Sequence, residues 1–305
     1  MNKAYMRHGI ELRPGLHVRG KWNNNHYLIK KKLGSGTVGT VYLCESNGKH
    51  YALKISKQSA SMMVEVNVLK ALKKVQGQHL GPYLVDVDDW ENTSDQLYSF
   101  YVMEYLHGQD IITFIKRHGT EWIGVFMLQL LEDLDKLHQL GWVFGDLKID
   151  NMIVLTSPPR VRFVDVGGTT QMGRAIKEYT EFYDRGYWNL GTRRAEPSYD
   201  LFAFAMVILT IFYPRHFPKT QNPAKTIFNK IDRTKELDLY SNCLKKAVIG
   251  KYKSGAEMKH DLLHVMERKH HRYTQQRVYS RFPSVIETMG ILLLAIAFFI
   301  SSIFL

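Results

Sequence analysis

The chain has 305 residues, 45% of them hydrophobic and 23% charged, with two cysteines, Cys44 and Cys243, far apart in sequence. That excludes a disulfide scaffold and a disordered chain, and allows one large domain or two lobes with their own cores. The net charge of +12 sits at the two ends: eight Lys/Arg face one acid in residues 1–33, 17 face 21 in 34–213, and 16 face six in 214–281.

The first residues lack an apolar core, so no signal peptide is expected. Residues 1–26, basic and rich in Gly and Asn, read as an irregular lead-in packed down by Trp22. From Tyr27 two β-rich runs flank Asn47-Gly48, a strong hairpin signal. Gly34, Gly36 and Gly39 lie in the first of them, where missing Cβ atoms let backbone approach a phosphate. The alternative is a flexible hairpin tip; no helix opens there, so this is not a dinucleotide-binding fingerprint. Lys54 ends the next strand, either as a functional lysine or on its solvent side. A helical stripe follows, with Val64, Val68, Leu69 and Leu72 on one face. Glu65 in that helix either pairs with Lys54 or is exposed. Strands at Tyr83 to Trp90 and Tyr98 to Glu104 close the β-rich part.

Everything after Asp110 reads as helix-rich. Ile111 to Ile115 and Trp122 to Leu140 carry helical apolar spacing at Val125, Leu128, Leu131, Leu134 and Leu137, with Gly141 at the C-terminus. Val143 to Asn151 then brings Asp146, Lys148 and Asn151 into one short loop. Their chemistry suits a proton acceptor, a phosphate-neutralising cation and a metal holder; the alternative is a solvated loop. Val161 to Gly168 is a short strand ending in Asp165, a turn former or a metal ligand. Residues 169–195 read as a mobile segment carrying Thr169, Thr170 and Thr180. Asp200 is expected to cap an almost wholly apolar, buried helix ending before Pro214. Residues 214–265 read as three short amphipathic helices on basic linkers.

Met289 to Leu305 carries no charge. At about 1.5 Å per residue it reaches roughly 26 Å, and with Ile286 and Thr288 it makes a plausible single span of a ~30 Å core. Basic residues before it place the preceding domain in the cytoplasm, and no sensor domain is expected beyond it.

The glycine loop, strand lysine, helical glutamate, D-L-K-x-x-N and D-V-G follow one another as in protein kinases. From about Tyr27 to Glu267 the chain resembles a Hanks-type Ser/Thr protein kinase. With its C-terminal anchor it looks most like the YabT-like kinases of spore-forming bacilli. The resemblance implies an α+β, bilobal protein-kinase-like fold. Its parts are a basic lead-in (1–26), a small β-rich N-lobe (27–106), a larger helical C-lobe (107–267), a basic juxtamembrane segment (268–285) and a transmembrane helix (286–305). It implies ATP with Mg²⁺ or Mn²⁺, protein Ser/Thr substrates and autophosphorylation on Thr169, Thr170 or Thr180.

By resemblance, Gly34, Gly36 and Gly39 cover the ATP phosphates, and Lys54, held by Glu65, contacts them. Val41, Ala52 and Ile153 enclose the adenine, with Met103, Glu104, Tyr105 and Leu106 at the hinge, and Leu33 is a further residue of the nucleotide site. Asp146 deprotonates the substrate hydroxyl, Lys148 steadies the phosphoryl group, Asn151 and Asp165 hold metal, and Asp200 braces the catalytic loop. Three departures stand out. Gly145 replaces an arginine that usually reads activation-segment phosphorylation, which argues against that switch. Val166 replaces Phe in D-F-G, which suggests a looser loop. No A-P-E is recognisable; Ala195-Glu196-Pro197 is scrambled.

Two other classes remain open at this point. Phe144-Gly145-Asp146 also resembles the H-G-D of aminoglycoside-phosphotransferase-type small-molecule kinases, and a non-catalytic pseudokinase scaffold is the third reading. Expected partners are the membrane, a second copy of the chain, and DNA or anionic lipid bound by the basic 214–281 segment with Tyr240, Tyr252, Tyr273 and Tyr279 among its cations.

Overall fold

The computed structural model describes residues 10–36, 38–73 and 81–303, with backbone alone for 72–73, 269–287, 297–298 and 301–303. The chain divides into two compact units, Met1–Lys259 and His260–Leu305.

In the first unit, six strands precede the helical part: β1 (His17–Arg19), β2 (His26–Ser35), β3 (Thr40–Ser46), β4 (Lys49–Ser56), β5 (Leu84–Glu91) and β6 (Leu97–Glu104). They form one sheet ordered β1-β2-β3-β4-β6-β5, antiparallel throughout. Asn47 (φ 50°) and Gly48 (φ 71°) make the β3–β4 turn in the left-handed region that a tight hairpin needs. Alternation along the strands turns Ile29, Tyr42, Cys44, Leu53, Ile55, Phe100 and Val102 into one core.

The lead-in is more regular than expected. It contributes β1 and puts Leu12 and Val18 into that core, each worth roughly 1.5–3 kcal/mol of burial. Trp22 is not the anchor: its ring is 69% exposed. Its polar edges hold it instead, the backbone N–H donating to Asp88 at 3.0 Å and Nε1 to Asp89 at 3.1 Å. A row of acids on β5 thus fastens the loop from outside.

Helix α1 (Ser59–Lys73) lies between β4 and β5 in the chain. Its buried face is Met62, Glu65, Val66, Val68 and Leu69; Val64 points out at 50% exposure, and the side chain of Leu72 falls outside the described residues. The face is rotated from the expected stripe because Glu65 is drawn inward by a partner.

The helical part contains α2 (Ile111–His118), α3 (Trp122–Gln139), α4 (Pro197–Phe212), α5 (Pro223–Asp232) and α6 (Ser241–Val248). Short strands β7 (Trp142–Val143), β8 (Met152–Thr156), β9 (Pro159–Phe163) and β10 (Thr170–Gln171) lie between α3 and α4. Asp110 caps α2 by accepting from Thr113 N–H at 2.8 Å. On α3, Leu131, Leu134 and Leu137 are buried as the spacing predicts, but Val125 is 38% exposed, while Ile123, Phe126, Met127 and Leu130 are buried.

Helix α4 begins at Pro197, so Asp200 is not its cap. It sits fully buried in the first turn, and nearly the whole helix through Ile211 is buried around it. Pro197 starts the helix because its missing N–H needs no partner at that position.

Helix α7 (Gly255–Ile303) begins in the first unit and makes up the described part of the second. Its apolar end exposes large side chains, among them Ile291, Leu294 and Phe299. No helix among the described residues is long and apolar enough to cross a membrane, so the span expected at 286–305 is not found there. Part of the expected span lies outside the described residues: 304–305 are not described, and 286–287, 297–298 and 301–303 are described by backbone alone.

Candidate active site

Three elements of the sheet and α1 build the first half of the site. Lys54 on β4 is buried, and its Nζ lies 2.9 Å from Glu65 Oε1, 2.7 Å from Oε2 and 3.3 Å from Asp165 Oδ1. The lysine is therefore not on the solvent side of its strand, and Glu65 is not exposed. Burial alone would lower the Lys54 pKa, but the carboxylates of Asp165 and Glu65 outweigh it and hold the ammonium above its ordinary value. A cation is thus fixed where two strands, a helix and the Asp165 turn meet.

The glycine loop opens beside it. Gly34 pairs with Val41 and Ser35 with Thr40, and Gly36 N–H donates to Gly39 O at 2.9 Å. The three glycines differ in what they permit. A Cβ on Gly39 would lie 2.5 Å from Ile55 O, so Gly39 is required by its contact with β4. Cβ atoms on Gly34 or Gly36 would meet nothing within 4 Å, leaving the space there open to a ligand. Val41 stands opposite Lys54, and Ala52 opposite Met103. Leu33 is exposed, Val41, Glu104, Leu106 and Ile153 are half-buried, and Ala52 and Met103 are buried.

The second half is the loop after β7. Lys148 Nζ donates to Asp146 Oδ2, and Asn151 Nδ2 donates to the Asp146 carbonyl at 3.0 Å. With its amide nitrogen engaged, Asn151 keeps its side-chain oxygen as a free acceptor for a hard cation. Val164 N–H donates to Asn151 O at 2.9 Å, so Asn151 and Asp165 stand at adjoining strand ends. Asp165 Oδ1 also accepts from Gly167 N–H at 2.9 Å. A carboxylate and an amide oxygen fit a Mg²⁺ ion that takes its remaining ligands from phosphate and water.

The loop is held from beneath. Asp200 accepts from Phe144 N–H at 2.7 Å and Gly145 N–H at 3.0 Å, and its Oδ2 is 2.8 Å from His138 Nε2. The Asp200 carboxylate can only accept, so His138 donates through Nε2; its Nδ1 is buried without a hydrogen-bond partner. The brace expected from resemblance is present, and His138 is a member that sequence reasoning missed.

Gly145 has φ +80°, and a Cβ there would lie 2.4 Å from Gly168 O. Gly168 in turn leaves no room for a Cβ, which would lie 2.6 Å from Asp146 Cβ. Two glycines thus press the Asp146 loop against the turn that follows Asp165. The side chain facing Gly145 there is apolar: Ile176 packs with Val143, Ala195 and Tyr199. Backbone bonds tie this segment down, with β10 paired to β7 and Ile176 N–H donating to Arg193 O at 2.8 Å.

Of the three candidate phosphoacceptors, Thr169 is buried and Thr170 half-buried. Thr180 donates to Asp146 Oδ1 at 3.0 Å and lies 3.3 Å from Lys148 Nζ. In place of A-P-E, Asp184 is fully buried and accepts from Gly186 N, Tyr187 N, Tyr199 OH and Arg193. Arg185 bridges to Glu196 at 2.5 Å. The missing motif is replaced by an Asp/Arg network whose members are scattered over 184–199, a spacing with no sequence signature.

A protein kinase domain model matches residues 27–281. The chain belongs to the protein kinase family. It is 48% identical over 264 residues to Serine/threonine-protein kinase YabT of Bacillus subtilis (strain 168), covering 86% of this chain and 78% of that one. It is 32% identical over 164 residues to Serine/threonine-protein kinase cds1 of Schizosaccharomyces pombe, covering 48% of this chain and 34% of that one. Among solved structures, the crystal structure of a kinase domain superposes with a TM-score of 0.59 at 18% identity, over 82% of this chain and 97% of that one, a likeness of fold. The β-rich and helical parts are thus the two kinase lobes, and the chain is a protein serine/threonine kinase that uses ATP. That sets aside the small-molecule-kinase and scaffold readings.

Proposed function

We propose that this kinase transfers the γ-phosphoryl group of ATP to Ser/Thr hydroxyls of cytoplasmic proteins and of itself, from a position tethered to the cell membrane. One observation carries the chemistry: Asp165 contacts Lys54 on one side and, through the Gly167-Gly168 turn, abuts Asp146 on the other. Nucleotide-holding and proton-accepting groups therefore share one wall.

Asp146 takes the proton from the attacking hydroxyl, and Lys148 stays beside it to balance charge on the phosphoryl group. Lys54, kept cationic by its carboxylates, orients the α- and β-phosphates under the open glycines. Asn151 and Asp165 would hold Mg²⁺, which would supply neutralisation of phosphate charge. Positioning and electrostatics of this kind carry most of phosphoryl transfer. In a label-transfer assay from γ-labelled ATP, Asp146→Asn should lower kcat by roughly 10²–10⁴-fold, with nucleotide affinity kept. Lys54→Ala should weaken both. Labelling equal to the parent in either variant would refute the assignment.

Tethering is supported by the uncharged run 289–305 and by the exposed apolar side chains at the end of α7. Lys225, Arg233, Lys235, Lys251 and Lys253 are among the exposed cations of the helical lobe. Tyr240 and Tyr252 are buried, so they offer no stacking platform, and Tyr273 and Tyr279 have side chains outside the described residues. Among the described residues of 214–268 no exposed Phe, Tyr or Trp stands beside these cations, and contact through anionic lipid headgroups is the reading we adopt.

A further inference from the structure

We propose that Tyr101 is a positioning residue that holds Glu65, and with it α1, in the orientation that keeps Lys54 at the phosphates. The inference rests on the role assigned above to Lys54 and Glu65. Tyr101 lies on β6 directly opposite Lys54 on β4. Facing residues of an antiparallel pair project from the same side of the sheet, so both side chains reach toward α1. The Tyr101 hydroxyl donates to Glu65 Oε2 at 2.7 Å, while Lys54 Nζ meets both oxygens of that carboxylate. Glu65 is therefore gripped from two neighbouring strands, by a cation and by a neutral donor. The tyrosine ring is itself 1% exposed, which leaves its hydroxyl no solvent to turn to.

The second donor matters because Lys54 is shared. It already divides its charge between Glu65 and Asp165, and nucleotide phosphates would divide it further. A buried carboxylate losing part of the cation beside it becomes costly to keep charged. Tyr101 offers a bond that no ligand competes for, and bonds to a charged acceptor in a dry site are the strong ones. Glu65 thus stays facing the sheet while Lys54 serves the phosphates. Lys54 and Glu65 are recognisable from sequence; a tyrosine in the middle of an apolar strand is not.

The test is a double-mutant cycle on the full chain, using kcat/KM for ATP and affinity for a non-hydrolysable ATP analogue. Tyr101→Phe keeps the ring and removes one hydroxyl; it should lower kcat/KM roughly tenfold, the order expected for one bond to a charged group. In a Glu65→Gln background the same change should cost less than about threefold, because a neutral amide oxygen replaces the charged acceptor. Equal losses in both backgrounds would overturn the proposal, since a packing role does not depend on Glu65. So would no loss in Tyr101→Phe when Glu65→Gln alone is impaired. Failure of Glu65→Gln to lower kcat/KM would instead refute the underlying Lys54–Glu65 reading. Thermal melts of each variant separate lost fold from lost positioning, and Tyr101→Trp, which retains a ring donor displaced from Glu65, should behave as Tyr101→Phe if placement is what counts.

Discussion

At the scale of single residues, the glycines of the site divide by what a Cβ would meet. Gly34→Ala adds an atom into open space and should change stability by no more than about 0.5 kcal/mol, its effect falling on KM for ATP. Gly39→Ala drives a Cβ into Ile55 O and should cost about 1–3 kcal/mol. Gly145→Ala combines φ +80° with a 2.4 Å contact and should cost about 2–4 kcal/mol together with most of the activity. Denaturant midpoints and label transfer on the three variants check this order; equal effects would show that the loop and the Asp146 turn relax freely. Gly145 also explains the missing arginine. The residue before Asp146 is set by a close approach of two backbones, and the segment it faces is held by Ile176 and a short ladder, with no ion pair at Gly145 to be formed by phosphate.

At the scale of elements, buried charge decides which contacts matter. Asp200 on α4 takes two backbone N–H groups of the Asp146 loop. Asp200→Ala leaves both donors buried and unpaired, and should cost about 3–5 kcal/mol, seen as a lower melting midpoint with activity lost before the fold. Asp133 on α3 is buried against Arg160 of β9 at 2.9 Å. Burial raises its pKa from 3.8 to about 6, against the pull of Arg160. A folded pKa above the unfolded one means this group's contribution is full below about pH 3.8 and is lost as pH rises through about 6. The stability of Asp133→Asn should therefore rise relative to the parent between pH 4 and pH 7, followed by urea unfolding; a constant difference across that window would rule it out.

At the scale of the whole molecule, charge and hydropathy argue for a surface that the catalytic unit does not need. Removing residues 286–305 should move the kinase from the membrane to the soluble fraction and leave kcat on a soluble substrate within about twofold. Unchanged fractionation would rule out the tether. Binding of the full chain to vesicles should require anionic lipid and weaken steeply between low and physiological salt. Retention by duplex DNA with no binding to anionic vesicles would favour a nucleic-acid partner.

The reaction was legible in the sequence because its groups are local in the chain or follow strong turn chemistry. Asp146, Lys148 and Asn151 occupy six residues, the glycines occupy one hairpin, and Asn47-Gly48 dictates the turn beside them. Lys54, Glu65 and Asp165 could be named by their order, but nothing in a strand lysine or a helical glutamate says that they are buried together. That was decided by the sheet register and the packing of α1, as were the bonds of Tyr101 to Glu65, His138 to Asp200 and Arg193 to Asp184, whose partners lie 9 to 62 residues apart. The burial of Leu12 in place of Trp22 follows the same rule. Composition says which residues are apolar, whereas only tertiary contact says which of them finds a core and which polar groups must find each other once water is gone.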